Sequence, residues 1–447
     1  MKKLTTLALF LGFTYAVAAA DTNAAAWLTR PLSVADALNT ALLQNATILK
    51  AQNDLKASHG LVVQTRAVAL PQLKAAGQYK YTDPSGIEGF FPGSSQPNEN
   101  WNAGLQLVQS IYEGGKLVAA IRAANATKQQ ALAEYQTTVA DTLLLVRLAY
   151  YDTLLAAQQI TVHEASVVLL QKELEDQQHR LDAGTVPKFN VLRAEVAVAN
   201  ERPSLIRAKN QYRIAKNVLA NLLGYNLPRD LWEDIPLNLT DTLAAAPYEV
   251  NLPAAIQQAL ARRTELTALR QQVELSRLNI VNAKSGYKPT VQLFAGYNWY
   301  NAQFTKPVEL DHDIRGWNAG AQLSWNIFDG LLTHGKVIQA DAQLAHARTD
   351  LIDRSRQIEL SVRTSYSDFI EAKEVLASQA KVQEQAAEAL REANARTAAG
   401  TGTQLDVLDA ETSLTQARTT QILALHDYTA ARARLERAIG ADLAPAN

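Results

Sequence analysis

The sequence predicts a mainly α-helical protein with a transmembrane β-barrel part: an internally duplicated chain in which each protomer lends four strands to a trimeric, 12-stranded β-barrel, continued by a long α-helical barrel. Three observations carry this. The two halves repeat one another, two helical stretches are too long for a globular domain, and four segments of about ten residues alternate apolar and polar positions. The repeat is visible in the residues. Ala37-Leu38-Asn39-Thr40-Ala41-Leu42 returns as Ala255-Ile256-Gln257-Gln258-Ala259-Leu260, and Pro71 as Pro289. Trp101-Asn102-Ala103-Gly104 returns as Trp317-Asn318-Ala319-Gly320, Gly184-Thr185 as Gly400-Thr401, and Leu223-Gly224 as Ile439-Gly440.

The chain opens with Met1-Lys2-Lys3, an apolar run from Leu4 and Ala18-Ala19-Ala20 before Asp21. This pattern is that of a secretory signal peptide over residues 1–20, with an uncleaved anchor as the alternative. Beyond it no apolar run reaches the roughly 20 residues of a spanning helix; the best stretch, Leu143 to Ala157, contains Arg147 and Asp152. A membrane would therefore have to be crossed by strands. Absence of Cys excludes disulfides, thiolate metal sites and a lipid-modified cysteine. A net charge of -1 gives no reason to expect nucleic acid as a partner.

The first repeat, residues 21–224, starts with a helix over about Val34 to Val68. A strand follows at about 72–81, with Leu73, Ala75, Gly77, Tyr79 and Tyr81 set against Gln72, Lys74, Gln78 and Lys80. After a loop over Thr82 to Asn100 comes a second strand at about 101–111, with Trp101, Ala103, Leu105 and Leu107 on one face. From about 115 to 183 there is no Pro and no interruption, so one helix of about 100 Å is expected. Gly184 suits its C-cap, and a return helix spans about 189–223. Residues 225–250, with Pro228, Pro236 and Pro247, form the connector.

The second repeat, residues 251–440, has the same order: a helix over Pro253 to Ser285, strands at about 291–300 and 317–328, a loop over Asn301 to Gly316, and helices at about 336–399 and 405–439, before a tail at 441–447. Tyr81, Trp101, Trp299 and Trp317 are expected near strand ends, where an interfacial aromatic girdle sits. The loops, polar and far from the helices, would face the cell exterior. Alternation alone would also suit hairpins of a water-soluble sandwich. In lipid, however, four strands leave open edges that only further copies can close; two copies would fill the interior, whereas three leave a lumen.

On this ordered set of features the chain resembles the TolC-like outer-membrane efflux family. Pro71 and Pro289 before the first strand of each repeat, the Trp-Asn-Ala-Gly strand starts, the junctions Ile111-Tyr112-Glu113-Gly114 and Ile327-Phe328-Asp329-Gly330, and the Gly-Thr tips carry the likeness over nearly all of the chain after residue 20. The resemblance implies a homotrimer in the outer membrane with its helical portion in the periplasm. It further implies an exit duct for small molecules or proteins, gated at the helical tips by docking of a periplasmic adaptor (membrane fusion) protein and an inner-membrane RND or ABC-type exporter. The alternative is a trimeric coiled-coil envelope scaffold without transport.

Asp406 and Asp409, three residues apart at the start of the last helix, share one face and match the family's acidic entrance ring. The plainer reading is a helix start favoured by the macrodipole. Gly184, Thr185, Lys188, Asn190, Arg193, Gly400, Thr401 and Gly402 are the expected tip and adaptor-contact residues. The tyrosine, arginine and aspartate that latch the entrance in the family match Thr397, Gly402 and Asn190, so that latch is missing or rebuilt; Lys188 or Arg193 pairing with Asp406 or Asp409 is a candidate substitute. The sequence has no His-Glu-x-x-His, phosphate-loop or nucleophile-elbow motif, so neither catalysis nor a cofactor or metal is expected. A single Met argues against a Met-lined route for soft metals.

Overall fold

The computed structural model describes residues 31–83, 99–225, 234–304 and 310–441. The leader, most of the first hairpin loop, residues 305–309 of the second, part of the connector and nearly all of the tail lie outside the described residues. The elements are β1 (Pro31–Leu32), α1 (Val34–Gln44), α2 (Ala46–Ala67), β2 (Gln72–Tyr81), β3 (Glu99–Glu113), α3 (Lys116–Asp182), α4 (Lys188–Leu222), β4 (Asn238–Leu239), α5 (Leu252–Arg262), α6 (Thr264–Lys284), β5 (Thr290–Phe304), β6 (Leu310–Ser324), α7 (Leu332–Ala398) and α8 (Gln404–Ile439). Both α3 and α7 contain 67 residues, which corresponds to about 100 Å of rod.

Where continuous helices were expected over Val34 to Val68 and Pro253 to Ser285, each is broken once. Asn45 and Arg263 adopt extended backbone (ψ 126° and 121°) between α1 and α2 and between α5 and α6. Asn45 fits the break because its Oδ1 accepts from the amides of Thr47 and Ile48 while its Nδ2 donates to the Leu222 carbonyl. Arg263 does the equivalent work differently, its Nη1 donating to the carbonyls of Arg437 and Ala438.

Each break sits beside one of two equivalent apolar cores. In the first repeat Ala37, Ala41, Val146, Tyr150, Leu219 and Leu223 are buried together, joined by Ile235 and Leu237 of the connector. In the second, Ala255, Ala259, Val362, Phe369, Leu435 and Ile439 are buried. The apolar stretch of α3 around Leu143 to Leu154 is thus core, with Tyr150 donating from its hydroxyl to the Leu32 carbonyl. The short parallel pair β1–β4 ties the connector to the start of the chain.

The four long strands form one antiparallel sheet in the order β2-β3-β5-β6. The register aligns one face into rows: Leu73, Leu107, Ala295 and Ala319; then Ala75, Leu105, Tyr297 and Trp317; then Gly77, Ala103, Trp299 and Arg315. On the other face Gln106, Gly296 and Asn318 form one such row. The apolar face is open, with Leu73, Tyr297, Trp317 and Leu323 all exposed in the protomer.

The strands of the second hairpin are displaced from their expected ends. β6 begins at Leu310 and stops at Ser324, so Trp325, Ile327 and Phe328 fall after it, and most of the expected loop over Asn301 to Gly316 is strand. Trp317 is accordingly mid-strand instead of at an end. It still closes the apolar band, because Arg315 and Asp313 follow it on the same face. Trp101 packs edge-on against Trp299 at 5.0 Å, Tyr81 ends β2, and Tyr79, opposite Trp101, joins the same aromatic level.

α3 also packs along α8, where His426 bridges the two: its Nε2 lies 2.7 Å from Asp152 and its Nδ1 3.0 Å from Asp427. Burial favours the neutral ring, but the two carboxylates outweigh it and raise its pKa above the usual value. The bridge's contribution is therefore full below the ordinary histidine range and is lost as pH rises through the raised value. Thermal melts are expected to show stability falling above about pH 6.5, with a shallower fall in His426→Gln.

The helical tips and the membrane sheet

The tips close by the same hydrogen bonds in both repeats. At the first, the Thr185 amide donates to the Arg180 carbonyl and the Gly184 amide to Leu181, with Gly184 at φ 73°. At the second, Thr401 donates to Arg396 and Gly400 to Thr397, with Gly400 at φ 76°. This is the Schellman arrangement, which needs a residue content with left-handed backbone. The threonine hydroxyls repeat the bond, Thr185 to Arg180 and Thr401 to Arg396. Gly402 lies against Thr397, where a Cβ would sit 2.9 Å from the Thr397 nitrogen.

α8 begins with a capping box. The Asp406 amide donates to Thr403 Oγ1 and the Thr403 amide donates to Asp406 Oδ2. Those bonds, with the Arg396 charge in addition, hold the Asp406 carboxyl below its usual range. Val407 and Leu408 are buried between the hairpins, which leaves Asp406 and Asp409 exposed on the outer side of the same turn. The helix-start role of Asp406 is therefore real, and it coexists with an exposed pair of carboxylates.

The expected basic partners are elsewhere. The Arg193 guanidinium lies 5.3 Å over the Phe189 ring, and Lys188 opens α4. Among the described residues neither forms an ion pair with Asp406 or Asp409. The two hairpin tips are joined instead by Gln404, whose Nε2 donates to the Asn190 carbonyl at 3.0 Å. Thr397 stays within its own tip, its hydroxyl donating to the Thr403 carbonyl.

Sequence reasoning passed over Arg396, Gln404 and Glu411. The signal was present: Gln404, Val407, Leu408, Glu411 and Leu414 follow three- and four-residue steps, so Gln404 and Glu411 occupy positions of the buried stripe. Both are buried, as is Gln177 of α3.

An open-edged sheet with one oily face, continuous with two 100 Å helical hairpins, defines an outer-membrane channel of the duct type. The chain belongs to the outer membrane efflux protein family, whose model matches residues 37–225 and 255–441, one match for each repeat. It is 25% identical over 408 residues to the outer membrane protein TolC of Escherichia coli, covering 90% of this chain and 80% of that one. It is 23% identical over 445 residues to the cobalt-zinc-cadmium resistance protein CzcC of Cupriavidus metallidurans, covering 96% and 97%. Among solved structures, the outer membrane protein VceC of Vibrio cholerae superimposes with a TM-score of 0.76 at 19% identity, covering 92% of this chain and 96% of that one. The protein is an outer-membrane exit duct with its helical portion in the periplasm, and the reading as a scaffold without transport falls. The protomer is one third of a twelve-stranded barrel continued by a helical barrel, the edges β2 and β6 being those that neighbouring copies complete.

Proposed function

We propose that the duct is passive and is gated at its periplasmic tips, where an adaptor and an inner-membrane exporter, RND or ABC in type, dock and open it. The observation that carries this reading is the pair of exposed carboxylates, Asp406 and Asp409, on the first turns of α8, beside a tip where Gln404 links the two hairpins. Three-fold repetition puts six carboxylates around the entrance, a ring that concentrates and binds cations. Gly184, Thr185, Lys188, Asn190, Arg193, Gly400, Thr401 and Gly402 form the surface offered to the adaptor. Tyr81, Trp101, Trp299 and Trp317 level the barrel at the membrane interface.

No catalytic role is assigned to any residue. The polar face of the sheet carries Asn102, Gln106, Asn298, Asn318 and Gln322, together with Lys74 and Lys80 of β2.

The test is single-channel conductance of the purified trimer with divalent cations added from the helical side. Asparagine at both positions keeps the capping acceptor at residue 406, so Asp406→Asn/Asp409→Asn is expected to fold and to weaken divalent block at least roughly tenfold. Unaltered block in the double variant would show that the entrance ring lies elsewhere.

A further inference from the structure

The seam between the two hairpins of one protomer contains a carboxyl that the entrance ring does not use. Glu411 of α8 is 4% exposed, and its Oε2 has no hydrogen-bond partner. Two amide oxygens nearer the tips are also buried without a donor, Gln404 Oε1 and Gln177 Oε1. Across the seam, Glu173 of α3 accepts from Gln177 Nε2 at 2.8 Å. A buried carboxylate normally has a cation or several donors around it, because removing its charge from water is costly otherwise. Here the group acting on Glu411 from across the seam is another carboxyl, Glu173.

Among the described residues no cation forms an ion pair with Glu411, Arg418 of the same helix included. From α3 the charge acting on Glu411 is that of Glu173, which is itself influenced by Asp176 and Arg180, and these two pair with each other at 2.7 Å. From α4 the neighbouring residues are Ala197 and Val198; its Arg193 lies over Phe189, its Glu195 is exposed, and its Glu201 binds His163. From α7 the facing residues are Ala386, Ala387, Leu390 and Ala393, while Glu384, Glu388, Arg391 and Glu392 are exposed. On α8 itself, Asp406 is engaged with Thr403 and Asp409 is exposed.

We propose that Glu411 is a proton-operated catch on the α3–α8 seam: protonated, it is a neutral donor that the surrounding acceptors can satisfy and the hairpins stay packed; ionised, it drives them apart at the tips. One added proton removes the buried charge and gives Glu411 a donor of its own. The direction of the response follows from linkage. Burial first, and the Glu173 charge second, push the Glu411 carboxyl up to about 7 from 4.5. The packed seam thus binds more protons than the parted one between these values. Packing is strongest at and below the ordinary carboxyl range and weakens as pH rises toward neutrality, by roughly a hundredfold in the opening equilibrium of each protomer. A duct of this kind would be tightest in an acid periplasm and easiest to open in a neutral or alkaline one.

The gating consequence rests on the reading of the tips as the entrance, whereas the catch itself does not, and hydrogen exchange tests the catch without any current. Exchange of the amides of residues 404–414 is to be compared between the wild-type trimer and Glu411→Gln at the same pH, so that intrinsic chemistry cancels. At pH 8 the variant is expected to exchange at least tenfold more slowly, and at pH 5 the two should coincide. In Glu173→Gln the wild-type acceleration should persist with its midpoint moved to lower pH, a shift that a merely structural role would not produce. Equal exchange at pH 8, or faster exchange in Glu411→Gln, overturns the proposal, as does an unmoved midpoint in Glu173→Gln. Conductance of the same variants then isolates the gate. A seam that responds to pH without a change in current would leave the catch standing and remove the tips as the gate.

Discussion

Replacing Gly224 by alanine is expected to abolish stable trimer or to lower its melting temperature more than any other single methyl added to the chain. Gly224 ends α4 at φ 81°, with the Tyr225 amide donating to the Ala220 carbonyl and its own amide to Asn221. The left-handed backbone alone costs a residue with a Cβ about 1–2 kcal/mol. The larger effect is proximity, for a Cβ at this position would lie 2.3 Å from the Gln44 carbonyl oxygen and 2.7 Å from its carbon. Those are main-chain atoms at the end of α1, pinned because the next residue, Asn45, bonds the Leu222 carbonyl. Neither side can retreat without breaking the first core. The sum should exceed about 3 kcal/mol. Gly184→Ala is the internal control, because it has nearly the same φ, 73°, and nothing within 4 Å of a new Cβ. Thermal unfolding followed by helical circular dichroism should show a small loss for Gly184→Ala and a severe one for Gly224→Ala; equal losses would mean that the approach of α4 to Gln44 is not a constraint.

That comparison also shows what the sequence displays and what it hides. Gly184, Gly224, Gly400 and Gly440 all read as helix-ending glycines, and all four have positive φ. Only the packed structure separates the two in open solvent from Gly224, set against a neighbouring backbone. The long helices were legible because nothing interrupts them, and the strands because Leu73 to Tyr81 and Trp317 to Leu323 alternate cleanly. The start of β6 was not, since Leu310 to Gly316 includes Asp311, Asp313 and Arg315 and resembles a loop: beyond the oily band a strand no longer needs apolar side chains. Helix breaks were hidden for another reason. Asn45 and Arg263 occupy equivalent places yet satisfy the freed carbonyls with different chemistry, so the repeat gives no common letter there. The junctions behave likewise, since the left-handed position filled by Gly115 in the first repeat is filled by Leu331, at φ 72°, in the second. At the tips the paired aspartates could be read, while Glu411 looked like one more charge on a polar helix. Its position in the buried stripe was visible, but the absence of any partner could be seen only once α3, α4 and α7 were in place around it.

The second large effect is expected at Glu265, where a buried ionic cluster joins α3, α6 and α8. Arg263 reaches Glu265 with two bonds, Nη2 to Oε1 at 2.6 Å and Nε to Oε2 at 3.1 Å, and Arg437 adds a third to Oε1 at 3.1 Å. Arg437 also holds Asp141 at 2.7 Å. The side chains of Arg263, Glu265 and Arg437 are each 10% exposed or less. Burial alone would raise the Glu265 carboxyl, but the Arg263 hydrogen bonds and the two guanidinium charges overcome it and hold the group at about 2. Glu265→Gln leaves Arg263 buried with no carboxylate and Arg437 with only the exposed Asp141, and should cost about 3–5 kcal/mol. Because the folded value is depressed, the stabilisation is present in full above the ordinary carboxyl range and is lost as pH falls from about 4.5 toward 2. Acid melts should therefore show the wild type losing stability steeply over that interval and Glu265→Gln losing it less steeply; parallel curves would exclude the cluster as the acid-labile joint. Replacing all three members by apolar residues is not expected to recover the wild-type stability, although such exchanges succeed in many cores. Arg263 also donates to the carbonyls of Arg437 and Ala438 at the end of α8. An apolar residue would leave both acceptors buried without a donor, at about 1–3 kcal/mol each. The charge of Arg263 is thus needed less for attraction to Glu265 than for finishing the last turn of α8 against the break between α5 and α6. The triple apolar variant should accordingly melt below the wild type even at pH 3, where the ionic contribution is already failing.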